Sequence, residues 1–356
     1  MSRKSLCIKI RKIHGEKAII AANNFKIIDK GLEIQKNTDF IYVPLLREPV
    51  EDELAALNKQ APNFQVLTCS FPERKKRVKT FVELLEDKLP SYLLASLPRA
   101  VDIVGDIAII EIPPELNAHK ALVGVAILKA HKNLRTVLAK AGAIGGTYRV
   151  REFDIIAGES RTDTVHKEHG CQYYVDLAKA YFSPRLSYEH KRVASLVQEG
   201  ETVVDLFAGV GPFAVLIAKN TQNVRVYAVD VNPDAFEFLK RNVKLNRVEN
   251  RVFPLIGEAK RVVEDRLAGV ADRVIMNLPE KAIEFIDTAC EAIKPSGGIV
   301  HFYSFISVSS SLENMQSRFA KAVEKTGRKV ERILFSKTVR ATAPHEWQSV
   351  LDAKIH

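Results

Sequence analysis

The sequence predicts an α/β protein. Its C-terminal half should be a mostly parallel, doubly wound sheet, preceded by an α+β middle region and a small N-terminal α/β unit. Three observations support this. From Thr202 to Phe305, β-branched apolar runs alternate with helix-patterned stretches, the rhythm of consecutive βαβ units. Within it, VVDLFAGVGPFAVLIAKN (203–220) joins a strand to a helix through a glycine turn. At 356 residues, the chain is also long for one core, which favours two or three domains.

The first region, residues 1–70, opens with CIKI, a short polar helix at GEKAIIAANNF and the alternating strand FIYVPLL; LLREPVEDELAALNKQ adds another helix. FPERKKRVKTF follows, with Arg74, Lys75, Lys76, Arg77 and Lys79 after Pro72. It reads as a linker, either a solvated charge run or a phosphate-contacting one. The second region, 71–170, starts with helical spacing over VKTFVELLEDKLPSYLLASL. AVDIVGDIAIIEI reads as strand-turn-strand, NAHKALVGVAILKAHKN as helix, and LRTVLAK and TYRVREFDIIAGE as strands flanking the flexible AGAIGG. The third region, 171–356, begins with a helix at SYEHKRVASLVQE, capped by Ser187. Strands TVVDLFAG, VRVYAVDVN, RVFPLIGEA, ADRVIMNLP and GIVHFYSF then alternate with helices, and VRATAPHEW closes the chain as strand and loop.

Composition narrows the function classes. The chain is 46% hydrophobic and 27% charged, and no apolar run approaches about eighteen residues, so no membrane span is expected. The basic N-terminus lacks the long apolar region of a signal peptide, which points to the cytosol. Cys7, Cys69, Cys171 and Cys290 stand far apart, arguing for reduced structural thiols over disulfides or a zinc site. A net charge of +10 biases the protein toward a polyanionic partner. His166 and His169 lack a third ligand at useful spacing, and HEW lacks the second histidine of the zinc protease motif, so no metal is implied.

Gly209-Val210-Gly211-Pro212-Phe213-Ala214 satisfies the dinucleotide fingerprint, with Asp230 in the place of the ribose-binding acid. Two details oppose a dinucleotide. A pyrophosphate on a helix N-terminus needs backbone donors, and Pro212 removes one. Asp205, at the strand end, would set a negative charge beside two phosphates. The same carboxylate suits S-adenosylmethionine, which carries an ammonium and a sulfonium. Asp230 then accepts from ribose hydroxyls, and Glu258 in LIGEAK is a candidate near the adenine.

Asn277-Leu278-Pro279 ends the fourth strand of this region, at the carboxyl edge where open α/β sheets bind ligands. An asparagine offers two donors and an acceptor to a base edge, and proline makes the turn rigid. Position 280 is glutamate rather than an aromatic, which departs from the Asn-Pro-Pro-aromatic turn of methylases acting on exocyclic amines.

TYRVREFDII, YFSPRLSYEH, DLFAGVGPF and NLPEKAIEF, in this order, resemble the archaeal and eukaryotic tRNA guanosine-37 N1-methyltransferases. The resemblance spans nearly the whole chain, with a small N-terminal domain like that of archaeal members. DLFAGVGPF is common among RNA methyltransferases; YFSPRLSYEH together with NLPEKAIEF is much more specific. His190 departs from the pattern, which has arginine after the glutamate.

The resemblance implies a Rossmann-like S-adenosylmethionine-dependent methyltransferase domain and, as partner, tRNA with guanosine at position 37. N1 of guanine is protonated at neutral pH, so attack on the methyl group needs a base. Glu189 is that candidate by resemblance, alternatively a first-turn carboxylate stabilised by the helix dipole. Negative charge developing toward O6 calls for a cation, matched by Arg149 or, two residues on along the same strand face, Arg151. Catalytic candidates are therefore Glu189, Arg149 and Asn277. Cofactor candidates are Asp205, Phe207, Gly209, Asp230, Val231, Glu258 and Asn277, and substrate candidates are Arg149, Tyr181, Arg185 and Pro279. The family likeness also implies an N-terminal domain that contacts the outer corner of tRNA. The expectation is a cytosolic monomer. Its rivals are a wyosine-pathway enzyme on the same scaffold (carbon methylation or aminocarboxypropyl transfer) and a non-catalytic RNA-binding module.

Overall fold

A computed structural model describes residues 2–74, 79–142, 145–146, 148–307 and 310–356. The chain divides into two compact units, Met1–Val78 and Lys79–His356. Lys75, Lys76 and Arg77 of the basic run lie outside the described residues.

In the first unit, β1 (Ser2–Arg11), α1 (Lys12–Asn24), β2 (Gln35–Lys36), β3 (Phe40–Pro44), α2 (Glu51–Gln60) and β4 (Gln65–Pro72) build an antiparallel sheet ordered β2-β3-β1-β4. Ile8 and Ile10 of β1 and Val43 of β3 pack against Ala18, Ala21 and Ala22 of α1 and Leu57 of α2. β4 has no counterpart in the sequence reading. Its Leu67, Cys69 and Phe71 pack inward with Cys7 and Leu32 and alternate with exposed Thr68, Ser70 and Pro72, so the two-residue period is present in the sequence although only Phe71 is fully buried.

The second unit begins with turns and the short α3 (Ser91–Ala95), where the sequence suggested one long helix. Thr80 and Glu83 exchange side-chain-to-backbone bonds of 2.8 and 3.2 Å that close the first turn, and Pro90 cannot carry a helix through. β5 (Asp102–Val104), β6 (Ile107–Ile110), α4 (Lys120–Ala130), β7 (Thr136–Lys140) and β8 (Phe153–Gly158) follow. Their four strands form one sheet in that order, with only β6 and β7 parallel. β8 starts later than expected. Arg149 lies in a turn with φ of 54°, its N–H on Gly146 O at 3.2 Å, so Arg149 and Arg151 do not share a strand face.

β9 (Asp163–Glu168) and β10 (Cys171–Asp176) form a hairpin. Its outer edge is satisfied by buried asparagines from later in the chain. Asn242 accepts from Tyr174 N at 2.7 Å and donates to Val210 O at 2.9 Å, while Asn246 accepts from Gln172 N at 2.9 Å. After a 3₁₀ turn at Pro184–Leu186 comes α5 (Ser187–Ala194). Ser187 does not cap it. Leu186 holds the cap position, and the Ser187 hydroxyl lies 2.9 Å from His169 Nε2.

The main sheet takes β11 (Thr202–Asp205), α6 (Pro212–Asn220), β12 (Arg225–Asp230), α7 (Pro233–Leu245), β13 (Val252–Ile256), α8 (Ala259–Val262), β14 (Arg273–Met276), α9 (Ile286–Ala292), β15 (Gly298–Ser307), α10 (Leu312–Glu324), β16 (Val330–Ala343) and β17 (Glu346–Ile355). Its order is β13-β12-β11-β14-β15-β17-β16, with five parallel strands and an antiparallel closing hairpin. Adjacent Val203 and Val204 belong to different apolar clusters, one built with α6 and α7, the other with α9 and α10. The sheet is thus covered on both faces, as parallel strands require. The connection reverses between β11 and β14, which opens a crevice at the carboxyl ends of the strands.

Candidate active site

A cavity of about 460 Å³ occupies that crevice. One side is the turn after β11. Gly209 and Gly211 adopt φ of 55° and 89°, a backbone conformation that favours glycine, and a Cβ on Gly211 would also displace the Leu239 Cδ1 methyl of α7, 2.4 Å away. Asp230 at the end of β12 ties the turn down. Its carboxylate accepts from Gly209 N at 2.6 Å and Asn232 N at 2.9 Å. Phe207 stands edge-on to Phe285, ring centres 5.0 Å apart, and both line the cavity with Val231 and Glu258.

Asp205 lies beneath the turn and does not line the cavity. It is fully buried. One carboxylate oxygen accepts from Phe207 N at 3.4 Å, and the other has no hydrogen-bond partner. Burial pushes its carboxyl up to about 7, with the Asp230 charge adding to the rise against the Phe207 bond. Burial raises Asp230 as well, against the backbone N–H groups it accepts from.

These contacts decide which cofactor the turn fits. Gly209 N–H is spent on Asp230, Gly211 N–H on Ala208 O at 2.9 Å, and Pro212 has none. Few amides remain for a pyrophosphate. A buried carboxylate with an unpaired oxygen, a second carboxylate at the next strand end and an aromatic wall instead suit a cationic nucleoside.

The same cavity is lined by the candidates for contacting the target nucleobase. Arg149, on its turn, pairs through Nη1 with Glu280 Oε2 at 2.9 Å and stands over the Tyr181 ring at 5.4 Å. Asn277, Pro279 and Tyr181 line the cavity with it. Glu280, which broke the exocyclic-amine pattern in the sequence, is the partner of Arg149.

The substrate candidate Arg185 and the catalytic candidate Glu189 lie elsewhere. Arg185 pairs outward with Asp102 at 2.6 Å. Glu189, 3% exposed, is held behind the cavity. It accepts from Arg192 Nε and Nη2 at 2.9–3.1 Å and from Tyr303 Oη at 2.9 Å. Arg192 also donates to Asp352 at 2.5 Å, and Asp352 meets His301 at 2.7 Å. Burial alone would raise the Asp352 carboxyl, but His301 and Arg192 outweigh it and bring it to about 2. His190 points inward to Glu168 at 2.7 Å, so the residue that departs from the family pattern serves the core. His166 Nδ1 meets Gly105 N at 3.1 Å.

The model for the TRM5/TYW2 methyltransferase domain matches residues 164–331, and that for the TYW2 N-terminal domain matches 81–162. Over 351 residues the chain is 36% identical to tRNA (guanine(37)-N(1))-methyltransferase Trm5b of Pyrococcus abyssi, covering 99% of each. The chain belongs to the TRM5/TYW2 methyltransferase family. Its fold is similar to that of aTrm5 solved in complex with tRNALeu (TM-score 0.74, 32% identity, 99% of this chain and 100% of that one). It is also similar to Methanocaldococcus jannaschii TYW2 in complex with AdoMet (TM-score 0.56, 30% identity, 72% of this chain and 99% of that one).

In this TRM5/TYW2 member, sequence reasoning missed Phe285, Gln348 and Arg340. Phe285 was visible as an aromatic just beyond the Asn-Leu-Pro turn. Gln348 and Arg340 had no local signal, because only the closing hairpin brings them near Asn277 and Tyr181. Among the described residues, no helix is long and apolar enough to cross a membrane.

Proposed function

We propose that the chain transfers a methyl group from S-adenosylmethionine to N1 of guanosine 37 in tRNA, acting as a cytosolic monomer. One observation carries the reading. A single cavity is lined both by the cofactor turn (Phe207, Gly209, Asp230, Val231, Glu258) and by Arg149, Tyr181 and the Asn277–Pro279 turn. The likeness to Trm5b covers 99% of the chain and so includes Met1–Val78, whereas the TYW2 structure with AdoMet covers 72%. This favours the N1 methylase over the wyosine-pathway alternatives.

When bound, the cofactor supplies an electrophilic methyl group. Asp230 would accept from its ribose hydroxyls, Phe207 and Phe285 would flank its base, and Asp205, buried beneath the turn, would add negative charge when ionised. Guanine N1 lies on the pairing edge, so the nucleotide must be turned out of its stack to reach the cavity. Arg149, held by Glu280 and Tyr181, stabilises charge developing on O6. Glu189 takes the N1 proton, which requires release from Arg192 and Tyr303 as RNA enters. Arg185 exchanges Asp102 for a phosphate.

Incubation with labelled S-adenosylmethionine and tRNA carrying G37 or A37, followed by digestion, tests the reading. Label in 1-methylguanosine from G37 alone is expected. Label in a wyosine-type nucleoside only, or in none, would overturn it.

A further inference from the structure

The closing hairpin reaches the transfer site through two polar side chains. Arg340 and Gln348 face each other across β16 and β17. Arg340 Nε donates to Gln348 Oε1 at 2.8 Å, and Gln348 Nε2 donates to Asn277 Oδ1 at 3.1 Å. The other end of the same guanidinium donates to Ser183 Oγ at 2.9 Å and to Tyr181 Oη at 3.1 Å. Gln348 is 1% exposed, yet it borders the cavity.

The polarity of this relay is forced. A guanidinium only donates, so Gln348 must turn its carbonyl to Arg340. Its NH₂ then faces Asn277, which answers with its own carbonyl. The Asn277 NH₂ is thereby turned away from Gln348, toward the cavity. An unrestrained asparagine could present either end; this one presents a donor.

We propose that Arg340 and Gln348 are positioning residues that make Asn277 a donor toward the substrate base, and so favour guanine. Guanine O6 accepts where the adenine N6 amino group donates. The proposal rests on guanosine being the substrate. Arg149 has the same polarity, so the two side chains flanking the base position both seek an acceptor edge. Arg340 acts twice, because its bond to Tyr181 also holds the ring over which Arg149 stands.

Gln348→Glu tests the relay by inverting it. The carboxylate still accepts from Arg340, but it can only accept from Asn277, which must then present its carbonyl to the cavity. Single-turnover transfer to G37 is expected to slow about 10²–10³-fold, the loss typical of one missing oxyanion donor. The KM for tRNA and the affinity for S-adenosylmethionine should hold. Gln348→Met, which removes the polar end without reversing it, should lose less. In an Asn277→Ala background Gln348→Glu should slow transfer no further, since no amide remains to turn. An unslowed Gln348→Glu, or losses that multiply independently in the double variant, would overturn the inference while leaving the substrate reading intact. If the unmodified protein fails on G37, the substrate reading falls and the inference with it.

Discussion

Replacing Glu189 with glutamine separates a base from a mere partner of Arg192. The carboxylate accepts from Arg192 at 2.9–3.1 Å and from Tyr303 at 2.9 Å, and it is 3% exposed. Glutamine keeps the shape and one accepting oxygen, and it loses the charge. Breaking a buried ion pair costs about 3–5 kcal/mol when the remaining charge is stranded. Arg192 is not stranded here, because Asp352 stays at 2.5 Å, so a loss of about 1–3 kcal/mol is expected. At roughly 2–4 °C per kcal/mol for a unit of this size, the melting temperature should drop by roughly 2–12 °C. Methyl transfer, measured as a single turnover well below that transition, should slow roughly 10²–10⁴-fold with both ligands still binding. The slowing should shrink at high pH, where solvent can take the N1 proton. Instability alone cannot produce that pattern. A variant that melts earlier yet transfers at the parent rate would leave Glu189 as a structural partner of Arg192 and nothing more.

Asp230→Ala should weaken S-adenosylmethionine binding by about 1.5–3 kcal/mol for the charged acceptor facing the ribose. It should weaken tRNA binding far less, and an unchanged calorimetric dissociation constant would count against the ribose assignment. Deleting residues 1–78 should leave cofactor binding intact, since every cavity residue follows Lys79. It should weaken binding of full tRNA and flatten its salt dependence while sparing an anticodon stem-loop; equal loss on both RNAs would refute a tRNA-contacting role for that unit. Asp205 is raised from an ordinary 3.8 to about 7 by burial, so its contribution favours folding at low pH and is lost as pH rises between those values. Asp205→Asn cannot ionise, and denaturant unfolding across that window should show a flatter loss of stability than the parent; identical slopes would mean Asp205 is not the group titrating.

The parallel part of the fold was legible because each βαβ unit writes its own local pattern. Val203 and Val204 face opposite apolar clusters, so a strand covered on both sides reads as an unbroken apolar run. The carboxyl-edge rule pointed to Asn277, the strand-end and turn positions to Asp230 and Glu258, and the family resemblance to Phe207, and all four line one crevice. In three places a particular interaction overrode the pattern. The helical spacing before residue 97 is cut by Pro90 and by the reciprocal bonds of Thr80 and Glu83. The strand drawn through Tyr148–Arg151 is a turn with Arg149 at positive φ, a conformation that alternation cannot reveal. Ser187 had the residue type of a cap, but its hydroxyl answers to His169 on the turn of the β9–β10 hairpin.

The glycine turn shows why a fingerprint needs its hydrogen bonds counted. The spacing from Gly209 to Ala214 describes the path of the chain, which dinucleotide and S-adenosylmethionine sites share. What differs is which amides stay free. Asp230 takes the Gly209 N–H, Ala208 takes that of Gly211, and Pro212 has none to give. Only Pro212 could be read from the sequence. The same logic governs Asn277, whose free end is set by Gln348, 71 residues away along the chain. In both places the residue type was legible and the vacant donor was not, because a vacancy depends on every partner the fold supplies. Specificity at this site follows from those spent and unspent hydrogens, and for that reason a change at Gln348 is expected to alter the chemistry of an asparagine it merely orients.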